Sequence, residues 1–168
     1  MDDTYLKDLA RQVGELANTT GLRVGVAESL TGGLVSSALA AAPGAGAWYR
    51  GCVVAHSRQV KHDLLDVPPG PVVSPRAAEA MAGAARRLLG AHLAVSITGS
   101  GGPAPQDGQP PGTVFIGVAD DHVVEIVDRR YPADDPEQIC HTAAADALGL
   151  LARRITELAS LNQPTARH

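Results

Sequence analysis

Three short stretches of the chain carry side chains whose type and spacing could do chemistry. The first is Ala27-Glu28-Ser29-Leu30-Thr31-Gly32-Gly33, where a serine follows a short apolar run and precedes two glycines. A serine between a strand end and a helix start has unsatisfied backbone N–H groups beside it. With the positive end of the helix dipole, these can hold an oxyanion or a phosphate. The same residues also suit the cap of an ordinary strand-to-helix turn. The spacing is not Gly-x-Ser-x-Gly, so the nucleophile elbow of the α/β-hydrolases is not matched. A serine also needs a base. Two candidates lie in the second stretch, His56-Ser57-Arg58-Gln59-Val60-Lys61: the imidazole of His56 and the amine of Lys61, which acts as a base when taken out of water. The third stretch, Thr98-Gly99-Ser100-Gly101-Gly102-Pro103, superficially resembles a dinucleotide fingerprint. Pro103 and Pro105 prevent the helix that such a fingerprint must open, and no P-loop spacing occurs. Its glycines fit a backbone that approaches a ligand or turns at positive φ.

The elements that must position these residues follow from apolar periodicity. Leu6, Leu9, Val13 and Leu16 recur at helical steps and predict a helix over Thr4–Thr20, stopped by Gly21. Leu22–Ala27 reads as a buried strand, the glycine turn follows, and an apolar helix runs on to Pro43. Gly51–His56 makes a second strand, and Ser57 can cap a helix carrying Val60, Leu64 and Leu65. Pro68-Pro69-Gly70 breaks that helix; Ser74 and Pro75 open the next, and Gly90 closes it. His92–Thr98 is a third strand, followed by a 14-residue Gly- and Pro-rich loop from Gly99 to Gly112. Thr113–Ala119 and His122–Tyr131 form a strand pair about Asp120-Asp121, and a long helix runs from Asp135-Pro136-Glu137 to about Ser160. This order predicts an α/β fold, a three-layer α/β/α sandwich on a mixed five-stranded sheet. One domain is expected over residues 1–160, with a flexible tail over 161–168.

Composition narrows the function. The chain has 168 residues, 45% hydrophobic and only 3% aromatic, so its core must be built from small aliphatic side chains. A formal charge of −4 disfavours binding to nucleic acid through its phosphates. Cys52 and Cys140 show neither metal-ligand spacing nor a disulfide framework, which implies reduced thiols and no zinc site, and with neither nucleotide motif present no cofactor is expected. The acidic, amphipathic N-terminus is unlike a secretory signal, and no apolar run is long enough for a membrane span. A cytoplasmic protein acting on a small molecule is expected, with homo-oligomerisation left open.

Ala27–Gly33, the Gly-x-Gly-Gly-Pro of residues 99–103 and Pro111-Gly112-Thr113-Val114, in that order, resemble the C-terminal domain family of the competence-damage-inducible protein CinA. The resemblance runs from about Leu6 to Leu158. Stand-alone members of that family are nicotinamide-nucleotide amidohydrolases. The resemblance therefore implies deamidation of nicotinamide mononucleotide to nicotinic acid mononucleotide and ammonia, a pyridine-nucleotide salvage step that needs no metal. It makes Ser29 the nucleophile and Lys61 its partner, and it places His56 where the family has a tyrosine and Arg58 where it has an asparagine. Substrate contacts are expected from Thr31, Gly32, Gly33, Gly99, Gly101 and Gly102, with Arg58 as a replacement charge. A Gly-Asp/Asn-Arg motif and an arginine early in the last helix of the family give way here to Asp134-Asp135-Pro136-Glu137-Gln138-Ile139-Cys140. Two alternatives accompany that departure: a ligand-binding or regulatory module with impaired turnover, or an amidase acting on a different, less anionic amide.

Overall fold

The apolar run Val24–Glu28 forms strand β1, flanked in parallel by β2 (Tyr49–Val54) and β3 (Leu93–Gly99). Two antiparallel strands, β4 (Thr113–Ala119) and β5 (Val124–Arg130), complete a five-stranded sheet of order β2-β1-β3-β4-β5. The computed structural model describes residues 3–161, so most of the expected tail lies outside the described residues. Every residue of β1, β3 and β4 is buried, as a sheet covered on both faces requires, whereas the edge strands β2 and β5 are partly exposed.

Alternation along the strands assigns the two faces. Val24, Val26, Val95, Ile97, Val114 and Ile116 point into the larger core beneath α1 (Asp3–Thr20), α2 (Leu34–Ala40) and α6 (Pro136–Leu161). Ala27 and Ala94 face the opposite side and pack with Met81, Ala84 and Ala85 of α5 (Pro75–Leu88). Alanine on that helix lets it approach the sheet closely enough for buried hydroxyls of β3 to reach backbone carbonyls. Ser96 donates to Ala78 at 2.6 Å and Thr98 to Val72 at 2.5 Å, so neither buried group is left unpaired. The result is the α/β/α sandwich on a mixed sheet that the sequence predicts.

Two local expectations are corrected. The helix expected to run to Pro43 ends at Ala40, and a separate four-residue helix α3 (Ala45–Trp48) follows Pro43-Gly44. Its entry is set by Gly44 at φ 70°, and it delivers Trp48 into the core. The second correction concerns α4 (Arg58–Leu64), which Ser57 caps by accepting the Val60 amide. The apolar pattern suggests Val60 and Leu64 as its inner face, yet they are 38% and 44% exposed, whereas Lys61 and Leu65 are buried. Leu65 seats in the α5-side core, and that anchor rotates Lys61 inward.

Candidate functional site

Strands β1, β2 and β3 run parallel, so their C-terminal ends lie together, where ligands bind in open α/β sheets. A cavity of about 350 Å³ opens there. Ser29 and Leu30 enter it from the turn after β1, and His56 and Lys61 from the end of β2 and from α4. Gly99, Gly101, Gly102, Ala104 and Gln106 of the loop after β3 form another wall, and Pro136 and Cys140 of α6 close it. Another cavity of about 350 Å³, between α1, β5 and α6, holds no pairing of nucleophile and base; its Asp146 accepts hydrogen bonds from Tyr131 and Arg129.

The turn carrying Ser29 is built around Glu28, a residue that motif reading passes over. The N-cap of α2 is Gly33 at φ 106°, a conformation that favours glycine and leaves no side chain to cap the helix. Glu28, fully buried at the end of β1, fills that role from five residues upstream. One carboxylate oxygen accepts the amides of Gly33 (2.9 Å) and Val35 (3.3 Å) and the Thr31 hydroxyl (2.7 Å). The other accepts the Ser36 amide at 2.7 Å, with the Cys52 thiol at 3.7 Å. Burial, reinforced by the charge of Glu28, pushes the Cys52 thiol up to about 12, so it remains protonated and able to donate. Ser29 is thereby held between a buried strand and a helix whose first turn is closed.

Lys61 is only 2% exposed, and its Nζ donates to the His56 carbonyl at 3.3 Å. Among the described residues no carboxylate forms an ion pair with it. Burial, followed by the positive charge of Arg58, pulls its pKa below the ordinary lysine value, while the charge of Asp107 opposes the shift. An amine so placed loses its proton more readily than a solvated lysine, as a general base requires.

Arg58 itself turns away from this task. Its guanidinium donates to Asp107 at 2.5 Å and to the Gly70 carbonyl at 2.9 Å, and it does not line the cavity. Asp107 also accepts the amides of Val72 (2.7 Å) and Val73 (3.0 Å), clipping the loop after β3 to the α4–α5 connection. Burial alone would raise the Asp107 pKa, but the hydrogen bonds from Arg58, Val73 and Val72 hold it below the usual carboxylate value. At the far end of the same loop, a Cβ on Gly112 would lie 2.1 Å from the Tyr131 carbonyl oxygen, which accounts for glycine in Pro-Gly-Thr-Val.

Of the sequence candidates, the fold gathers Ser29, His56, Lys61, Gly99, Gly101 and Gly102 around one cavity. Thr31, Gly32, Gly33 and Arg58 stand outside its lining. The Gly32 amide is used by the Ser29 carbonyl, and the Gly33 amide by Glu28. Glu28, Gln106, Asp107 and Cys140 are not among the site residues expected from sequence. Cys140 donates to the Leu30 carbonyl at 3.2 Å, and burial raises its pKa, so it presents a thiol to the cavity.

The CinA C-terminal domain family model matches residues 6–155, and the chain belongs to that family. A competence-damage inducible protein of Streptococcus pyogenes is 37% identical over 158 residues, covering 91% of this chain and 37% of that relative. A CinA-like protein of Frankia casuarinae is 39% identical over 145 residues, covering 83% and 33% respectively. The chain thus spans about a third of the length of these relatives. Among solved structures, a CinA superfamily protein of Klebsiella pneumoniae superposes with a TM-score of 0.85 at 28% identity, covering 90% of this chain and 98% of that one. One from Escherichia coli gives 0.84 at 30% identity, covering 91% and 93%.

Proposed function

We propose that the protein is a serine amidohydrolase acting on the carboxamide of an N-ribosylated nicotinamide. Deamidation of nicotinamide mononucleotide to nicotinic acid mononucleotide and ammonia, a step of pyridine-nucleotide salvage, is the family's version of this reaction. The observation that carries the reading is Lys61, a buried amine that forms no ion pair with a carboxylate among the described residues, on the same cavity as Ser29. Neutral Lys61 takes the Ser29 proton as Oγ attacks the amide carbon, and the carbonyl oxygen becomes an oxyanion. Because the Gly32 and Gly33 amides are spent inside the turn, the oxyanion falls to backbone amides of the cavity wall, at Leu30 and at Gly101 or Gly102. Protonated Lys61 then returns its proton to the departing nitrogen, releasing ammonia. Water, deprotonated by the same amine, cleaves the acyl-enzyme to the carboxylate and regenerates Ser29. His56, exposed at the mouth of the cavity, carries protons between Lys61 and solvent.

Ammonia release from nicotinamide mononucleotide, nicotinamide riboside and free nicotinamide tests this reading. The wild type is expected to turn over at least one of them, and Ser29→Ala to lose about 10³-fold or more in rate with an unchanged unfolding midpoint. No ammonia from any of the three sinks this reading. Retained turnover in Ser29→Ala reduces the serine to a turn residue.

A further inference from the structure

We infer that the cavity prefers its carboxamide substrate without a terminal phosphate, taking the pyridinium nucleoside ahead of its 5′-phosphate. The inference rests on the amidase reading for the reacting end of the substrate and on the distribution of charge for the other end. A phosphate dianion is normally held by a guanidinium or ammonium group, or by free amides at a helix N-terminus. Helix α2 follows the Ser29 turn and α4 and α6 place residues on the cavity wall, and at each of these three N-termini a side chain of the protein already takes at least one amide. Glu28 takes the first amides of α2, and Ser57 takes that of Val60 in α4. Asp135 takes those of Glu137 and Gln138 in α6, at 3.0 and 3.1 Å. Two of these three caps are carboxylates, which occupy the amides a phosphate would use and repel it as well.

The cations are equally committed. No arginine lines the cavity among the described residues, and Arg58 is bound by Asp107 and the Gly70 carbonyl. Lys61 is buried and, in the proposed reaction, must be neutral to accept the serine proton. One of the Gly101 and Gly102 amides is assigned, with that of Leu30, to the oxyanion. Where α6 meets the cavity at Pro136, the flanking Asp134, Asp135 and Glu137 are all exposed. A pyridinium nucleoside brings one positive charge to this acidic rim, and its 5′-phosphate reverses the sign of the interaction.

Titration calorimetry on Ser29→Ala, which cannot consume its ligand, reads the preference directly with nicotinamide riboside and nicotinamide mononucleotide. The riboside is expected to bind about tenfold tighter at low salt, with the gap narrowing as salt screens the rim. The double variant Asp134→Asn, Asp135→Asn retains a capping oxygen at residue 135 and removes two charges. It is expected to raise affinity for the mononucleotide several-fold and to lower that for the riboside. Equal or tighter binding of the mononucleotide, or binding of neither, overturns the inference. Ammonia release by the wild type separates the two ideas. Fastest release from the mononucleotide contradicts the preference and keeps the amidase. Release from no amide, with the riboside still bound first, removes the amidase and keeps the charge selectivity.

Discussion

Two walls of the cavity are each held by one carboxylate that accepts backbone amides, yet they are built to different standards. Glu28 is wholly enclosed and joins β1 to the first turn of α2 within nine residues of chain. Asp107, its side chain 12% exposed, reaches from a loop whose residues 102–106 are all exposed to partners more than thirty positions away. The hydrogen-bonding device is shared, but Glu28 itself lies in the interior, whereas Asp107 reaches inward from a surface loop to the amides of the buried Val72 and Val73. One wall is therefore inseparable from the fold, while the other is a clip whose loss leaves the sheet intact.

Removing Glu28 gives the largest expected effect. Glu28→Ala leaves the buried amide of Val35 and the half-buried amides of Gly33 and Ser36 without acceptors, and should cost about 3–5 kcal/mol of stability, read by denaturant unfolding. A variant with wild-type stability would break the contrast at its stronger end. Asp107→Ala should cost only about 1–2 kcal/mol: Arg58 is exposed and regains water, which leaves the amides of the buried Val72 and Val73 as the main loss. Its signature is kinetic: KM for the amide should rise several-fold as the loop wall loosens, with a smaller change in kcat. A loss of stability as large as that of Glu28→Ala would show that both walls belong to the core.

The smallest expected effect sharpens the electrostatic side of the comparison. The Asp107 charge opposes the lowering of the Lys61 pKa, and Arg58 assists it. Asp107→Asn should therefore lower the Lys61 pKa further, and the rise of kcat/KM with pH should begin at lower pH than in the wild type. The linkage has the matching sign. Lys61 titrates lower in the folded than in the unfolded chain, so between those two pKa values the unfolded state holds more protons and stability increases with pH. In Asp107→Asn that window extends toward lower pH. A pH–rate profile unmoved by the substitution would dissociate Lys61 from the proton transfer.

Much of the architecture is legible because strands β1, β3 and β4 are near-continuous apolar runs bounded by glycine, proline and aspartate. The helix α3 escapes that reading because Pro43-Gly44 signals a loop, and only packing against the core makes Trp48 an anchor. Ser29, Lys61 and the Gly99–Gly102 turn are readable from their places after strands. Glu28 is not, since a carboxylate at the end of an apolar strand declares itself a cap only when the N-cap glycine is seen to lack a side chain. Nor is the fate of Arg58: its partner Asp107 lies 49 positions away, and nothing in either neighbourhood specifies the pairing.

The reversal of direction between β3 and β4 has a consequence for divergence within the family. The loop over residues 99–112 leaves and re-enters the sheet at one end, its base closed by paired bonds between Ser100 and Thr113 and between Gly112 and Ser100. Residues can be added to or removed from its tip without disturbing a strand register. Doubling the length of a flexible loop costs only about 0.6 kcal/mol in closure entropy. The hairpin is thus an exchangeable cassette on a constant chassis: related chains can acquire new substrate preferences through insertions there while Ser29 and Lys61 keep their seats.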